Sequence, residues 1–406
     1  MSTTSDSLTN KFLPLSEPCL QGNEWKYVQE CLDSGWISSV GAFVTRFEQS
    51  IADYVGAKYA VATVNGTSAL HTALLIAGVE RGDEVLVSTL TFIASANAIR
   101  YIGAHPVLID AEPGYWQMDS RLVSDFFRSQ CIWQDGQLRN RSTGRRIKAI
   151  VPVHVLGHPT DLNAFVAEAE KYNLRIVEDA AESLGASYKG RKIGAAADLA
   201  CFSFNGNKTI TCGGGGMIIT NSKNDAERAR YLTTQAKDDA VEYIHNEVGY
   251  NYRMTNVLAA IGLAQLERLD ILVDRRRSIA DFYRTHLNLP GFQWHTDSAD
   301  ARSTSWLSTA LLDPAQVGLS AVALRDRLTT AKIQTRRLWQ PMHLSPAHAG
   351  CQSVLNGTAD QLFENALSFP SSPSLTDDDL IRICKQVREA VSSVPLAADL
   401  RLPAAA

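Results

Sequence analysis

The 406-residue chain is predicted to be an α/β protein built around a mainly parallel sheet. From about residue 42 to residue 220, short apolar segments of strand length alternate with longer segments whose apolar residues recur at helical spacing. Apolar strands separated by amphipathic helices indicate a sheet that is covered by helices on both faces. Because ligands of such sheets bind at the carboxyl ends of the strands, the polar residues that follow the strands are the candidate site residues.

The predicted elements follow one another in a regular order along this part of the chain. The predicted helices are FVTRFEQSIADYV, TSALHTALLIAGV, FIASANAIRYIG and LNAFVAEAEKYN. The predicted strands are YAVATV, EVLVS, PVLID, KAIVPV, RIVED, ACFSF and MIIT.

Two further features predict the organisation of the rest of the chain. Residues 128–147 interrupt the alternation, and the turn signals QDGQ and STGR predict a hairpin excursion there. From about residue 255 long helical patterns dominate, followed by the strand-like TSWLSTALLD, the helical SAVALRDRLTTA and a final helix near 376–394. We therefore expect a large domain over 13–254 and a smaller α/β domain over 255–396. Residues 1–12 and the final LPAAA are expected to be loose tails.

The composition excludes several classes of function. A net charge of −4 with 20% charged residues does not indicate a partner such as nucleic acid or an acidic membrane surface. The seven cysteines have no C-x2-C spacing, which favours free thiols in a reducing compartment and predicts no metal site. The N-terminus lacks an apolar core, and no apolar run reaches membrane-spanning length. A soluble cytoplasmic protein is expected.

Residues with phosphate-binding and stacking chemistry follow the first two strands. Thr67 and Ser68 follow Gly66 at the predicted start of a helix, where hydroxyls and free backbone N–H groups form a phosphate cradle. The same hydroxyls are also ordinary helix caps. Phe92 lies at the next strand–helix junction, where it either joins the core or stacks on a flat ligand.

An acid and a lysine follow two later strands. Asp179 ends RIVED, where it either holds a protonated ring nitrogen or caps a helix. Lys208 follows ACFSF and precedes the glycine run 213–216. A lysine at a strand end beside apolar surface suits carbonyl chemistry. Taken alone, however, the same position is also typical of an exposed lysine in a loop.

Together these residues predict a site for pyridoxal 5'-phosphate. The aldehyde of this cofactor forms a Schiff base with a lysine, its ring nitrogen pairs with an acid, and its phosphate needs hydroxyls and backbone N–H groups. The competing interpretation, a dinucleotide-binding fold, is not supported because no G-x-G-x-x-G follows a strand. His154 and His158 in VHVLGH are interpreted as structural, since no carboxylate stands nearby at ligand spacing.

The motifs also resemble a known family. VNGTSALHTAL, IVEDAAESLGA, CFSFNGNKTITCGGGGMIIT and GYNYRMTNVLAAIGLAQLERLD are similar to segments of the DegT/StrS-type nucleotide-sugar aminotransferases, which have the fold-type I of pyridoxal 5'-phosphate-dependent transferases. GNEWKYVQECLDSGWISSVG, LWQPMHLSPAH and the 128–147 excursion look closest to the branch that aminates C4 of UDP-4-keto-6-deoxy-N-acetylglucosamine in legionaminic acid or bacillosamine pathways of bacterial surface glycans. GDP-perosamine synthases are the alternative, with similar GNKTIT and YNYRMTN segments.

The resemblance implies a role for each matching residue. Lys208 matches the catalytic Schiff-base lysine, and Asp179 matches the partner of the ring nitrogen. The remaining expected cofactor contacts are Glu182 near the ring hydroxyl, Phe92 stacking on the ring, Thr67, Ser68 and Ser203 at the phosphate, and Asn251, which the family delivers across a homodimer interface. Expected contacts to the sugar nucleotide are Trp36, Ser38, Ser39 and His343, although Trp36 is also a candidate core residue and His343 a packed loop histidine.

The resemblance also implies the reaction and its rivals. An amino donor, glutamate in the family, passes its amino group to the cofactor, and the amine then passes to C4 of a 4-keto sugar. Dehydratases of the same family carry histidine at the position of Lys208, which disfavours that rival here. A noncatalytic binding or regulatory protein is disfavoured because both Lys208 and Asp179 are present. One departure from the family is Arg337, where proline is expected.

Overall fold

The computed structural model of the protein describes residues 11–239 and 241–391. The helices of this part are α1 (Glu24–Ser34), α2 (Ala42–Val55), α3 (Gly66–Ile76), α4 (Ala94–Tyr101), α5 (Ser120–Gln130), α6 (Leu162–Lys171), α7 (Lys223–Thr233), α8 (Asn256–Leu266), α9 (Leu269–His286), α10 (Pro314–Val317), α11 (Ala321–Thr330), α12 (Thr358–Asn365) and α13 (Asp377–Val391). Among the helices of the described ranges, none combines the length and apolar character that a membrane span requires.

The strands form one large sheet and three smaller ones. They are β1 (Tyr59–Thr63), β2 (Glu84–Ser88), β3 (His105–Ile109), β4 (Cys131–Gln134), β5 (Gln137–Asn140), β6 (Ile147–Val151), β7 (Arg175–Asp179), β8 (Ser187–Tyr188), β9 (Arg191–Lys192), β10 (Leu199–Ser203), β11 (Gly216–Thr220), β12 (Phe292–Trp294), β13 (Ala301–Arg302), β14 (Ser308–Leu312), β15 (Arg336–Arg337), β16 (Ser353–Val354) and β17 (Ala366–Phe369).

The large sheet has the order β1-β11-β10-β7-β6-β2-β3-β16. The pairs from β10 to β16 are parallel, whereas β11 is antiparallel to both β1 and β10. The predicted mainly parallel sheet is therefore confirmed. Strands β2 and β7 coincide with the segments EVLVS and RIVED, because both are buried apolar runs with clear polar boundaries.

A second sheet, β12-β14-β17-β15, belongs to the C-terminal part of the chain. It packs with α9, α11 and α13 around buried residues such as Leu312, Leu324 and Phe369. Two C-terminal strands lie outside this sheet: β16 joins the edge of the large sheet beside β3, and β13 pairs with β8. The division at residue 254 stays a prediction.

The excursion over 128–147 contains the predicted hairpin. Strands β4 and β5 pair antiparallel, and Asp135 and Gly136 at the turn have φ of 51° and 72°. Positive φ at both central residues is the geometry that two-residue hairpin turns require. The final predicted helix ends at Val391 in the described part, and its predicted residues 392–394 lie outside the described residues, as do the final LPAAA and most of the N-terminal tail.

Several elements were not predicted from the sequence. Helices α1, α5, α7 and α12 and the strand β17 were not predicted, although the apolar residues of α5 recur at helical spacing, and the two-residue strands are too short to have a pattern. Among the predicted elements, the boundaries of α3 and α4 differ by a few residues, because helix ends are set by caps such as the Asn65 side chain, which accepts from Ser68 N at 2.7 Å.

Candidate active site

A cavity of about 480 Å³ lies at the carboxyl ends of the central strands. Residues at or after the ends of β1, β2, β6, β7 and β10 line one side of it, and residues 306–307, 334 and 336–339 of the C-terminal part line the other. The cavity therefore lies where sheets of this type bind ligands, and both parts of the chain contribute to its wall.

Lys208 projects into this cavity from the loop between β10 and β11. Its Nζ donates a hydrogen bond to Glu182 Oε1 at 3.1 Å and lies 4.3 Å from the centroid of the Trp306 ring. The lysine side chain is 13% exposed. Lys208 thus lies between a carboxylate and an aromatic face, in a largely buried position where its amine can meet a carbonyl group.

Glu182 is fixed by contacts on both of its carboxylate oxygens. Oε2 accepts from Leu156 N at 2.9 Å, while Oε1 accepts from Lys208. Burial raises the pKa of the Glu182 carboxyl, and the positive charge of Lys208 opposes that rise. Lys208 therefore counteracts part of the effect that burial has on the Glu182 carboxyl.

Asp179 lies at the end of β7 and is 5% exposed. Its Oδ2 accepts from Ser95 Oγ at 2.6 Å and its Oδ1 accepts from Ala181 N at 3.1 Å. An ionised carboxylate has about four acceptor positions, so Asp179 retains capacity for a further donor from the cavity. A protonated ring nitrogen is a donor of that kind.

The start of α3 forms part of the cavity wall. Gly66 and Thr67 line it, together with Ser203 at the end of β10. A Cβ on Gly66 would lie 2.8 Å from the Ser203 Cβ, so glycine permits this close approach. Since the first N–H groups of a helix have no intrahelical acceptor, this end suits a phosphate. Ser68 is buried behind it and does not line the cavity.

Phe92 and Ala181 complete a site for a flat ring. Both line the cavity, and Phe92 is 56% exposed although it is a large apolar side chain. An exposed aromatic face beside an acid and a lysine fits a stacked heteroaromatic ligand. With the phosphate-binding end at α3, the residues present fit pyridoxal 5'-phosphate in both shape and chemistry.

The remaining expected contacts to cofactor and substrate do not line this cavity. Asn251 is exposed and forms an isolated bridge with Thr234. His343 is held at the end of β2, where its two ring nitrogens contact Thr89 Oγ1 at 2.8 Å and Asp360 Oδ1 at 3.1 Å. The segment that contains Trp36, Ser38 and Ser39 lies near the surface before α2.

Trp36 was also a candidate core residue, but its side chain is 58% exposed. The main chain of this segment is anchored by Asn256, whose Nδ2 donates to Trp36 O at 2.6 Å and whose backbone N donates to Ser38 O at 2.6 Å. The Trp36 side chain is therefore exposed on the surface, while Asn256 holds the backbone of the segment in place.

The two histidines of VHVLGH are engaged with protein groups. His154 lines the cavity, but its Nε2 lies 2.9 Å from Glu178 Oε2 and its Nδ1 accepts from Thr160 N at 2.9 Å. His158 stacks on Tyr115 with ring centroids 5.2 Å apart. Within residues 11–239 and 241–391, no group of three or more His, Cys, Asp or Glu side chains is arranged to hold a metal ion.

Several residues of the cavity carried no signal in the sequence. Trp306 and Ser16 come from distant segments, and Ser95 reaches Asp179 only because α4 packs over β2. Arg337, which replaces the expected proline, also lines the cavity. Its guanidinium lies 4.3 Å from the Phe363 ring centroid and donates to Phe363 O at 3.3 Å, and its backbone pairs with Leu367 of β17.

Comparison with known proteins identifies the family. The model of the DegT/DnrJ/EryC1/StrS aminotransferase family matches residues 18–388. The GDP-perosamine synthase of Escherichia coli O157:H7 is 41% identical over 379 residues, which cover 93% of this chain and 98% of that protein. The GDP-perosamine synthase of Caulobacter vibrioides is 39% identical over 373 residues, which cover 91% of this chain and 96% of that protein.

Solved structures agree with this result. The crystal structure of DesI in the presence of its TDP-sugar product has a TM-score of 0.84 and 27% identity, with 95% of this chain and 94% of that chain covered. The predicted family and the predicted aminotransferase fold are thereby confirmed, whereas the relatives are named for the GDP-linked sugar that was the alternative interpretation of the sequence. The chain belongs to the DegT/DnrJ/EryC1/StrS aminotransferase family and is a sugar aminotransferase that depends on pyridoxal 5'-phosphate.

Proposed function

We propose that the protein transfers an amino group to C4 of a GDP-linked 4-keto-6-deoxy sugar, as a GDP-perosamine synthase does. The observation that carries this proposal is the 41% identity to such a synthase, which extends over 93% of this chain and 98% of the relative. The second synthase, at 39% identity, supports the same substrate. A role in the synthesis of a bacterial surface glycan follows from this substrate.

A UDP-linked 2-acetamido-4-keto-2,4,6-trideoxy-hexose is the second candidate. The segments GNEWKYVQECLDSGWISSVG and LWQPMHLSPAH, together with the excursion over 128–147, favour it. The relatives at 41% and 39% identity favour the GDP-linked sugar instead. The similarity to the GDP-perosamine synthases extends over 91% or more of this chain, whereas the segments that favour the UDP-linked sugar are short.

The proposed chemistry assigns one task to each cavity residue. When bound, pyridoxal 5'-phosphate carries the amino group from donor to acceptor and serves as the electron sink. Lys208 Nζ takes the proton from the carbon that bears the donor amine and returns a proton to C4 of the sugar. Asp179 keeps the ring nitrogen protonated, and Glu182 holds Lys208 in position through the 3.1 Å hydrogen bond. Thr67 and Ser203 bind the phosphate.

The proposed active unit is a homodimer. In this proposal Asn251, which is exposed in the single chain, reaches the phosphate of the neighbouring subunit. The proposed contacts to the sugar nucleotide are Trp36, Ser38, Ser39 and His343. Ser68, which is buried next to Thr67, is a further proposed contact to the phosphate. The amino donor in this proposal is glutamate. A closed two-fold interface would contain two equivalent sites.

The substrate is tested by a direct comparison of the two keto sugars. Purified protein is incubated with glutamate and either the GDP-linked or the UDP-linked 4-keto sugar, and the mass of the amino sugar product is measured over time. A site that leaves polar groups unpaired with the wrong base and sugar loses several kcal/mol, so we expect a preference of about 100-fold or more in kcat/KM for the GDP-linked sugar.

The Lys208→Ala variant is the control, because any amino sugar formed in its presence measures the uncatalysed background reaction. A preference for the UDP-linked sugar, or comparable kcat/KM for both, would overturn the assignment of GDP. Neither result would affect the identification as a sugar aminotransferase.

A further inference from the structure

Arg276 is a buried cation directly behind the Lys208 loop. It lies on α9, is 1% exposed, and is one of the largest fully buried side chains. Burial lowers the pKa of its guanidinium to about 10, so the group remains charged at neutral pH. Among the residues of the described ranges, no carboxylate forms an ion pair with it.

The guanidinium instead donates to oxygen atoms from four separate segments. Nη1 donates to Trp306 O at 2.9 Å and to Ser371 O at 2.8 Å. Nη2 makes longer contacts, at 3.4 Å each, with Ser16 Oγ and Lys208 O. One side chain thus connects the main chain of the reactive lysine to the N-terminal segment and to two segments of the C-terminal part.

The contact with Trp306 extends to the reactive amine itself. The Trp306 indole Nε1 donates to Asn207 O at 2.7 Å, one residue before Lys208, and its ring centroid lies 4.3 Å from Lys208 Nζ. Ser16 Oγ donates to the same Asn207 carbonyl at 3.0 Å. Arg276 therefore contacts the backbone carbonyl of Lys208 directly. It also donates to Trp306, whose ring lies beside Lys208 Nζ.

The type of residue indicates more than packing. An uncompensated buried charge is costly, and an apolar side chain of similar volume would fill the same space without that cost. A guanidinium, however, presents five donors in a rigid fork, which a lysine or an apolar residue cannot reproduce. Its Nε has no hydrogen-bond acceptor in the described structure. All hydrogen bonds of the guanidinium are therefore made by Nη1 and Nη2.

We propose that Arg276 is a positioning residue that holds the Lys208 loop and Trp306 in register, so that Nζ lies between Glu182 and the indole ring. The proposal rests on the proposed role of Lys208 as the base. Arg276 touches neither substrate nor cofactor in this proposal and acts only through the loop. A displacement of about 1 Å in a reacting group can reduce a rate by roughly 100-fold, so a loosened loop should slow proton transfer without weakening donor binding.

The test compares Arg276→Met, Arg276→Lys and the control Arg277→Gln. Arg277 is the neighbouring arginine on α9, but it pairs with Asp297 and Ser303 O, away from the Lys208 loop. For each cofactor-loaded variant, the rate of the half-reaction with glutamate is followed by the change in visible absorbance at several glutamate concentrations. We expect the limiting rate to fall about 100-fold in Arg276→Met and less in Arg276→Lys, with the half-saturating glutamate concentration changed by less than about threefold.

A second measurement does not depend on the cofactor. In cofactor-free protein, the rate at which an amine-directed reagent modifies Lys208 is measured by peptide mass spectrometry. Release of Nζ from Glu182 and Trp306 should raise that rate about tenfold in Arg276→Met, while Arg277→Gln stays within about twofold of the wild type. Wild-type protein without a visible absorbance band would contradict the role of Lys208, whereas the labelling comparison would still report on Arg276.

The outcomes separate positioning from folding. Circular dichroism and thermal unfolding identify variants that retain the fold. Folded Arg276 variants with wild-type half-reaction and labelling rates would overturn the proposal, as would equal effects in Arg277→Gln. Failure of both Arg276 variants to fold would also overturn it, because the residue would then be needed for stability alone.

Discussion

The Nζ of Lys208 lies 3.1 Å from Oε1 of Glu182, and both side chains are largely buried. Burial by itself raises the pKa of Glu182, and the lysine opposes this shift. The charge of Lys208 therefore favours the ionised form of Glu182, and removal of the lysine leaves that carboxylate buried without its counter-charge. The hydrogen-bonded ion pair between Lys208 and Glu182 therefore both places the lysine amine and offsets the cost of burying the carboxylate.

Lys208→Ala is expected to abolish turnover. Borohydride treatment of the wild type should attach the cofactor to the peptide that contains Lys208, and this labelled peptide should be absent from the variant. The control is Lys189→Ala, which removes a half-exposed lysine paired with Asp300. Label on a different lysine of the wild type would refute the assignment.

Asp179→Asn keeps the shape of the side chain but removes the charge that, in the proposed mechanism, holds the ring nitrogen protonated. We expect kcat/KM to fall more than about tenfold, which corresponds to about 1.4 kcal/mol of transition-state stabilisation. Ser95→Ala is the matched control, because it removes the 2.6 Å hydrogen bond to Oδ2 and leaves the charge in place. A loss in Asp179→Asn no greater than that in Ser95→Ala would count against the role of the charge.

The proposed exchange of Asn251 between subunits predicts complementation. Lys208→Ala and Asn251→Ala should each be poorly active alone. In a mixed dimer, one site has an intact Lys208 together with Asn251 of the partner subunit, so mixing equal amounts should restore about a quarter of wild-type activity. Kinetic assays after subunit exchange measure this recovery, and sedimentation verifies the dimer. No recovery in exchanged dimers, or an active monomer, would be inconsistent with a shared site.

His158 predicts a loss of stability in acid. Burial lowers its pKa from 6.5 to about 3, so the neutral ring is favoured in the folded state. This contribution is fully present above the unfolded pKa and is lost as the pH falls from about 6.5 towards 3, by about 1.4 kcal/mol per unit.

Urea unfolding of the cofactor-free wild type and His158→Gln at pH 7, 6, 5 and 4 measures this effect. The free energy of unfolding of the wild type should fall more steeply with acid than that of the variant. A difference between the two proteins that stays constant over this pH range would rule out His158 as the source.

Much of the large sheet and several residues that line the cavity could be predicted from local sequence. Buried parallel strands are continuous apolar runs, so β2 and β7 were recognisable, and the polar residues at the strand ends and in the loops after them pointed to Asp179 and Lys208. The family resemblance added Glu182, which the structure pairs with Lys208.

The sequence by itself determined the order of the buried strands and the types of polar and charged residues that follow them, because both depend on short-range patterns. Only the tertiary structure decided that Trp306 covers Lys208, that Ser95 reaches Asp179, and that Arg276 connects four segments. These partners are separated by tens to hundreds of residues, and long-range contacts depend on how the sheet and the C-terminal part pack together. Local spacing carries no information about that packing, which is why these neighbours became visible only in the folded chain.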